Sequence, residues 1–206
     1  MLTSIITGDI IASRKKSNPD VWLKPLRQSL SQFGNEPQNW EIFRGDSFQL
    51  EVPQIAKSLS TCIKIKADMR CSANVNTRMA IGIGTKSYGG KKITESNGEA
   101  FVRAGEQFDQ LKKDTLSLKS PWPDIDREIN LYLDLALLTI DHWSTYSAEA
   151  VKLMLEAQGS TQNAIAKKLK ITQGRVSERL GRAGYEEIIS LINRYEELMY
   201  SKVQEL

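Results

Sequence analysis

Residues 160–183, STQNAIAKKLKITQGRVSERLGRA, read as two short amphipathic helices on either side of a tight turn. Ile165, Ala166 and Leu169 give one apolar face to a first helix. Val176 and Leu180, four apart, give another to a second helix, and Ile171 plugs the connection. Thr161 and Thr172 stand where helix N-caps belong, because their hydroxyls can accept from the unpaired amides of a first turn. The spacing predicts a helix-turn-helix, in which the first helix braces the second and the outward residues near the second's N-terminus enter a DNA major groove. The candidate contacts to double-stranded DNA are Gln173, Arg175, Ser177, Glu178 and Arg179, with Lys170 and Arg182 beside them. Arginine grips guanine or phosphate with a two-pronged donor, glutamine pairs with adenine, and serine suits a phosphate or a base edge. The plainer alternative is a helical hairpin with a solvated, charged face.

The charge of the whole chain adds less than its distribution. Net charge is +3, too small to make a 206-residue protein a general polyanion trap. From Lys167 to Arg182, however, Lys167, Lys168, Lys170, Arg175, Arg179 and Arg182 face only one acid, Glu178. Hydrophobic content of 40% and charged content of 26% are those of a globular domain, and no apolar run is long enough to span a bilayer. The N-terminus enters a strand-like run with no basic-then-apolar leader, so a cytoplasmic protein is expected. Cys62 and Cys71 lack metal-ligand spacing, and reduced thiols are expected.

In chain order, residues 2–12 (LTSIITGDIIA) read as a buried strand with a polar break at Gly8-Asp9, followed by the basic loop Ser13-Arg14-Lys15-Lys16. A helix from Pro19 to Phe33 carries Val21, Leu23, Leu26, Leu30 and Phe33 inward, and Gly34 closes it. Residues 40–52 form two strands around a Gly45-Asp46 turn. A helix then runs from Pro53 to about Ala73, a buried strand covers Arg78 to Gly84, a helix covers Gly98 to Leu111 with Phe101, Val102, Gly105 and Phe108 inward, and a last strand covers residues 114–118. The resulting order, β-α-β-β-α-β-α-β, predicts an α/β (α+β) domain of ferredoxin-like or palm type over 1–120. Pro121 and Pro123 mark its end. An apolar connecting helix over 121–145 follows, then an all-α helix-turn-helix domain over 146–206, with a leading helix from Ala148 to Gln158.

A palm arrangement sets the end of the first strand beside the tip of the central hairpin and so brings Asp9 near Asp46. Two carboxylates there are suited to Mg²⁺, which prefers oxygen ligands and is completed by substrate phosphates, so a nucleotide is the expected ligand. Gly8, Ile10 and Gly45 beside them, and Arg103 on the later helix, are the ligand-binding candidates. The alternative is that both Gly-Asp pairs are ordinary turn chemistry.

The segments GDIIASRK (8–15), RGDSFQ (44–49), RMAIGIG (78–84) and NGEAFVRA (97–104) resemble the SatD family of bacterial proteins, which implies an N-terminal domain followed by a DNA-binding motif. More remotely, the first elements resemble the palm of class III nucleotide cyclases and GGDEF diguanylate cyclases. That likeness implies that Asp9 and Asp46 take the metal-binding positions. The chain departs from it in the later helix: Gly98, Phe101, Ala104 and Gly105 fit the cyclase frame, while Val102 stands in the transition-state Asn slot and Glu106 in the Arg slot, with Arg103 one place away. The hairpin reads GDSF rather than GGDEF, so diguanylate synthesis is not implied.

Three functions follow as expectations. The first is a DNA-binding transcriptional regulator whose palm domain senses a nucleotide with Mg²⁺. The second is a nucleotidyl cyclase or transferase targeted to DNA, and the third is a protein-interaction scaffold with a DNA-binding tail. No membrane partner is expected. A homodimer is, because one small helix-turn-helix has little contact surface and two on adjacent half-sites roughly double it. The apolar helix Asp124 to Trp143 is the first candidate for the seam, and the stripe Tyr185, Ile188, Ile192, Tyr195, Met199 the second.

Overall fold

The computed structural model describes residues 2–11, 13, 18–156 and 161–205. Arg14, Lys15 and Lys16 of the expected basic loop, and Gln158 and Ser160 before the helix-turn-helix, lie outside the described residues. The elements follow the expected order: β1 (Leu2–Ile10), α1 (Asp20–Leu30), β2 (Trp40–Phe43), β3 (Ser47–Val52), α2 (Ser58–Ala73), β4 (Thr77–Thr85), α3 (Glu99–Gln110), β5 (Leu116–Lys119), α4 (Pro123–Ile140), α5 (Thr145–Glu156), α6 (Gln162–Leu169), α7 (Gln173–Ala183) and α8 (Tyr185–Gln204). The strands form one sheet in the order β2-β3-β1-β4-β5, antiparallel except for the β4-β5 pair. The first four strands have the ferredoxin-like arrangement with β1 at the centre, and β5 extends the edge through a crossover by α3.

Period-two alternation assigns the two faces of this sheet. Ile6, Ile81 and Ile83 join the core under α1 and α2, while Ile5 packs with Ala100, Phe101 and Ala104 of α3 on the other side. The strand RMAIGIG carries glycine where α3 lies directly on it. A Cβ at Gly82 would stand 2.2 Å from both the Ala100 carbonyl and the Ala104 amide. Three inward assignments do not hold, one of them Gly105 of α3, where an added Cβ would meet nothing within 4 Å. On α1 Trp22 is buried and Val21 exposed, and on α3 Val102 is exposed, because each helix is turned by one residue to present its larger or closer-packing side chain to the sheet.

The helices after residue 121 share the core that lies under α2. α5 packs on α2, α7 on α5, and α8 on both α4 and α7. Ile188, Ile192, Tyr195 and Met199 of α8 are buried within the chain, which takes that stripe out of consideration as a dimer seam. The Tyr195 hydroxyl reaches Ser58 Oγ (2.6 Å) and the Ile55 carbonyl (3.1 Å) just before and at the start of α2. α4 is covered on one side only: Ile125, Ile129, Leu133, Leu137 and Ile140 are buried, while Leu131, Leu135 and Leu138 face out. No helix among the described residues is long and apolar enough to cross a membrane.

A buried ion pair fastens the helical part to the sheet. Lys66 of α2 is 1% exposed, and its ammonium donates to Asn76 Oδ1 (3.1 Å), the Thr77 carbonyl (2.9 Å), Thr115 Oγ1 (2.7 Å) and Asp141 Oδ1 (3.0 Å), at the corner between α4 and α5. Burial pushes the Lys66 pKa down to about 8, with the Asp141 carboxylate holding it up, so the ammonium stays charged at neutral pH. Burial raises the Asp141 pKa, but Lys66 and the donors Asn76 and Thr115 outweigh it and hold this carboxyl below its ordinary range. Removing one partner strands the other charge in a dry site. Lys66→Met is therefore expected to cost about 3–5 kcal/mol in urea unfolding. A loss under about 1 kcal/mol would show that the pair does not hold the fold together.

Candidate functional site

The helix-turn-helix forms as its sequence dictates. Thr161 Oγ1 accepts from the Ala164 amide and Thr172 Oγ1 from the Arg175 amide, each at 3.3 Å, so both threonines cap their helices. Lys170 adopts φ 55° to turn the chain, and the Ile171 amide donates to the Ala166 carbonyl at 3.0 Å. Val176, Leu180 and Ala183 are buried. At the far end of α7 the buried Trp143 indole donates to the Ala183 carbonyl at 2.9 Å, locking the helix to the α4-α5 corner.

The predicted reading residues divide into two groups. Lys170, Arg175, Ser177, Glu178 and Arg182 are exposed, the last pairing with Glu178 one turn away. Arg179 is instead held inward: it pairs with Glu149 of α5 at 2.9 Å and lies over the Tyr146 ring at 4.8 Å. It braces α7 against α5 and does not present an open fork to solvent. Gln173, though exposed, donates to Gln162 of α6 at 2.6 Å. The outward face also carries two glycines seven apart, Gly174 and Gly181, whose absent Cβ atoms would meet nothing within 4 Å. Glycine inside a helix costs about 0.5–1 kcal/mol relative to alanine, and packing within this chain does not require it at either position.

The second site is a cleft of about 540 Å³ at the ends of the central strands β1 and β4, lined by Asp9, Ile10, Ser13, Asp46, Arg78 and the loop Lys112-Lys113-Asp114. Asp9 sits at the end of β1 and Asp46 at the hairpin turn, and the Ile10 amide donates to the Asp46 carbonyl at 3.3 Å, so the two carboxylates share one cleft as the palm order predicts. Sequence reasoning missed Arg78. β1 and β4 place it directly across from Asp9, and its guanidinium grips both carboxylate oxygens, at 2.6 and 3.3 Å. It also lies over the Phe108 ring at 4.7 Å. Asp46 accepts from the Ser13 hydroxyl. Both carboxylates are thus already engaged, and no group of three or more His, Cys, Asp or Glu side chains is gathered for a metal among the described residues. As arranged, the pair does not fit Mg²⁺: a guanidinium at hydrogen-bond distance repels a dication, which also needs several open oxygen ligands.

The remaining ligand candidates have other duties. A Cβ at Gly8 would stand 2.6 Å from Phe48 Cζ and 2.8 Å from Met79 Cγ, so this glycine makes room for core side chains. Gly45 sits at φ 90°, which the hairpin turn demands and only glycine adopts easily. Ile10 is buried, with an edge on the cleft. Arg103 lies elsewhere: it donates to the Ile83 carbonyl at 2.7 Å and pairs with Glu99, five residues along β4 from Arg78, or about 17 Å. Glu106 lines a different hollow beside it.

Compared with known proteins, the chain matches no family model and no curated relative.

Because Gly8 is a packing glycine, Gly8→Ala is expected to lower stability by about 1–3 kcal/mol in thermal or urea unfolding. Unchanged stability would return Gly8 to the ligand candidates.

Proposed function

We propose that this chain is a DNA-binding transcriptional regulator that reads duplex DNA with the outward face of α7. The carrying observation is the capped α6-turn-α7 unit, which exposes Arg175 and Ser177 near the N-terminus of a helix that Val176, Leu180, Arg179 and Trp143 lock onto the body of the protein. Lys167, Lys168 and Lys170 border the same unit with exposed positive charge suited to phosphates. Gly174 allows a sugar-phosphate chain to approach the helix backbone, which accounts for a glycine that the fold itself does not need.

In this proposal the cleft is the sensing end: its lining sets Arg78, Lys112 and Lys113 against Asp9, Asp46 and Asp114, and a nucleotide phosphate would be held by the three cations once it displaces Asp9 from Arg78. Mg²⁺ enters only as the nucleotide's counterion, because direct binding by Asp9 and Asp46 requires the Asp9-Arg78 pair to open first. The membership in the SatD family implied by resemblance fits the same division of labour. A cyclase or transferase is disfavoured because Arg103, the one basic residue near the transition-state slots, lies at the other end of β4. A scaffold with a DNA-binding tail leaves the charged lining of the cleft, three acids and three cations, without a purpose.

Arg175→Ala is expected to weaken binding to a selected operator by about 1–3 kcal/mol, or to make the salt slope shallower by about one if it holds phosphate. Lys170→Ala should change only the slope. Unchanged affinity and slope in the Arg175 variant would retire α7 as the reading helix. For the cleft, Arg78→Gln is expected to weaken nucleoside triphosphate binding by about 1.5–3 kcal/mol in calorimetry. Equal affinities, or rapid turnover by the wild type, would overturn the sensing role.

A further inference from the structure

α4 presents its unburied face as a ridge. Leu131, Leu135 and Leu138 are 57%, 61% and 71% exposed and recur at steps of four and three, so they line one side of the helix, opposite Leu133 and Leu137. Three leucines, each more than half open, with Tyr132 beside them, make a contiguous patch on the order of a few hundred Å², the size at which exposed apolar surface marks an interaction site. Directly beside the ridge runs a groove of about 740 Å³ between α4 and α8, floored by Ala136, Ile188 and Leu191. Gly184, where α7 passes into α8, keeps its upper end open against Thr139.

We propose that the partner on this face is a second copy of the chain, related by a two-fold axis, with the leucine ridge of each protomer seated in the α4-α8 groove of the other. A two-fold contact uses one patch twice, so that patch must be self-complementary. Here ridge and groove lie side by side on one surface. The charges do not oppose it: the rim carries both signs in Arg182, Glu187 and Arg194, and the two arginines are paired with Glu178 and Glu128 of their own chain, so an identical surface meets no net like charge. A lipid surface would not match a rim of mixed charge. α4 is 18 residues long, about 27 Å. Two such helices laid together, with the flanking α8 helices, can reach the roughly 800 Å² per partner of a standard interface. Because Gly181 and Arg182 border the groove, the seam also fixes how far apart the two recognition helices stand.

The contact is tested without DNA, so its outcome is independent of the operator-reading proposal. Sedimentation equilibrium of the full chain at micromolar concentration is expected to give the mass of two protomers. Leu135→Glu and Leu138→Glu should each give one, with dissociation constants raised at least a hundredfold. Both side chains point outward, so circular dichroism and melting temperature of the monomeric variants should stay near wild type. Val102→Glu, at an apolar position on α3 that is also more than half exposed, should remain dimeric. A monomeric wild type, whether or not it binds lipid vesicles, overturns the proposal, as does a Leu135→Glu variant that stays dimeric.

Discussion

The structure depends on one buried ammonium. Lys66 is almost wholly buried and has four oxygen acceptors within reach, contributed by the turn after α2, β4, the loop before β5 and the α4-α5 corner. An isolated charge in such a place would neutralise or unfold its surroundings; with Asp141 at 3.0 Å it becomes a fastening that works only when sheet and helices are both in place. Arg70 adds a bond from α2 to the Asp141 carbonyl at 2.9 Å. Two further pairs extend the attachment outward, Lys152 with Asp68 and Arg179 with Glu149, so the recognition helix is tied through α5 to α2 by charges as well as by apolar packing. The α6-α7 unit is therefore fastened through α5 to α2 by these pairs and by apolar packing.

The fastening also places the two proposed sites in one network. Thr115 lines the Asp9-Asp46 cleft, and its hydroxyl lies 2.7 Å from both the Lys66 ammonium and the Asp141 carboxylate.

The sequence was a good guide where the pattern is local. The strand-helix order could be read because Pro, Gly and period-two runs punctuate it, and both threonine caps announce themselves before their apolar stripes. What the sequence hid are relations between distant residues. Arg78 looks like the ordinary first residue of a strand until β1 and β4 pair in register and put it opposite Asp9. Arg179 has the right type and position for a base contact, but only the packing of α7 on α5 shows Glu149 and Tyr146 waiting for it. Gly8 signals backbone freedom by its type, whereas its neighbours Phe48 and Met79 reveal a need for space. The apolar character of α4 was plain, but which half of it the chain covers follows from the return of α8.

The central claim is that α7 reads duplex DNA, and selection from a random double-stranded library tests it most directly. The full-length protein is incubated with the library, bound DNA is recovered and sequenced, and the affinity of the enriched sequence is measured across salt concentrations. The account predicts enrichment of a defined sequence whose binding weakens as salt rises, since Arg175 and the α6 lysines displace counterions from phosphates. Recovery of no enriched sequence, together with binding too weak to show a salt dependence, would contradict it.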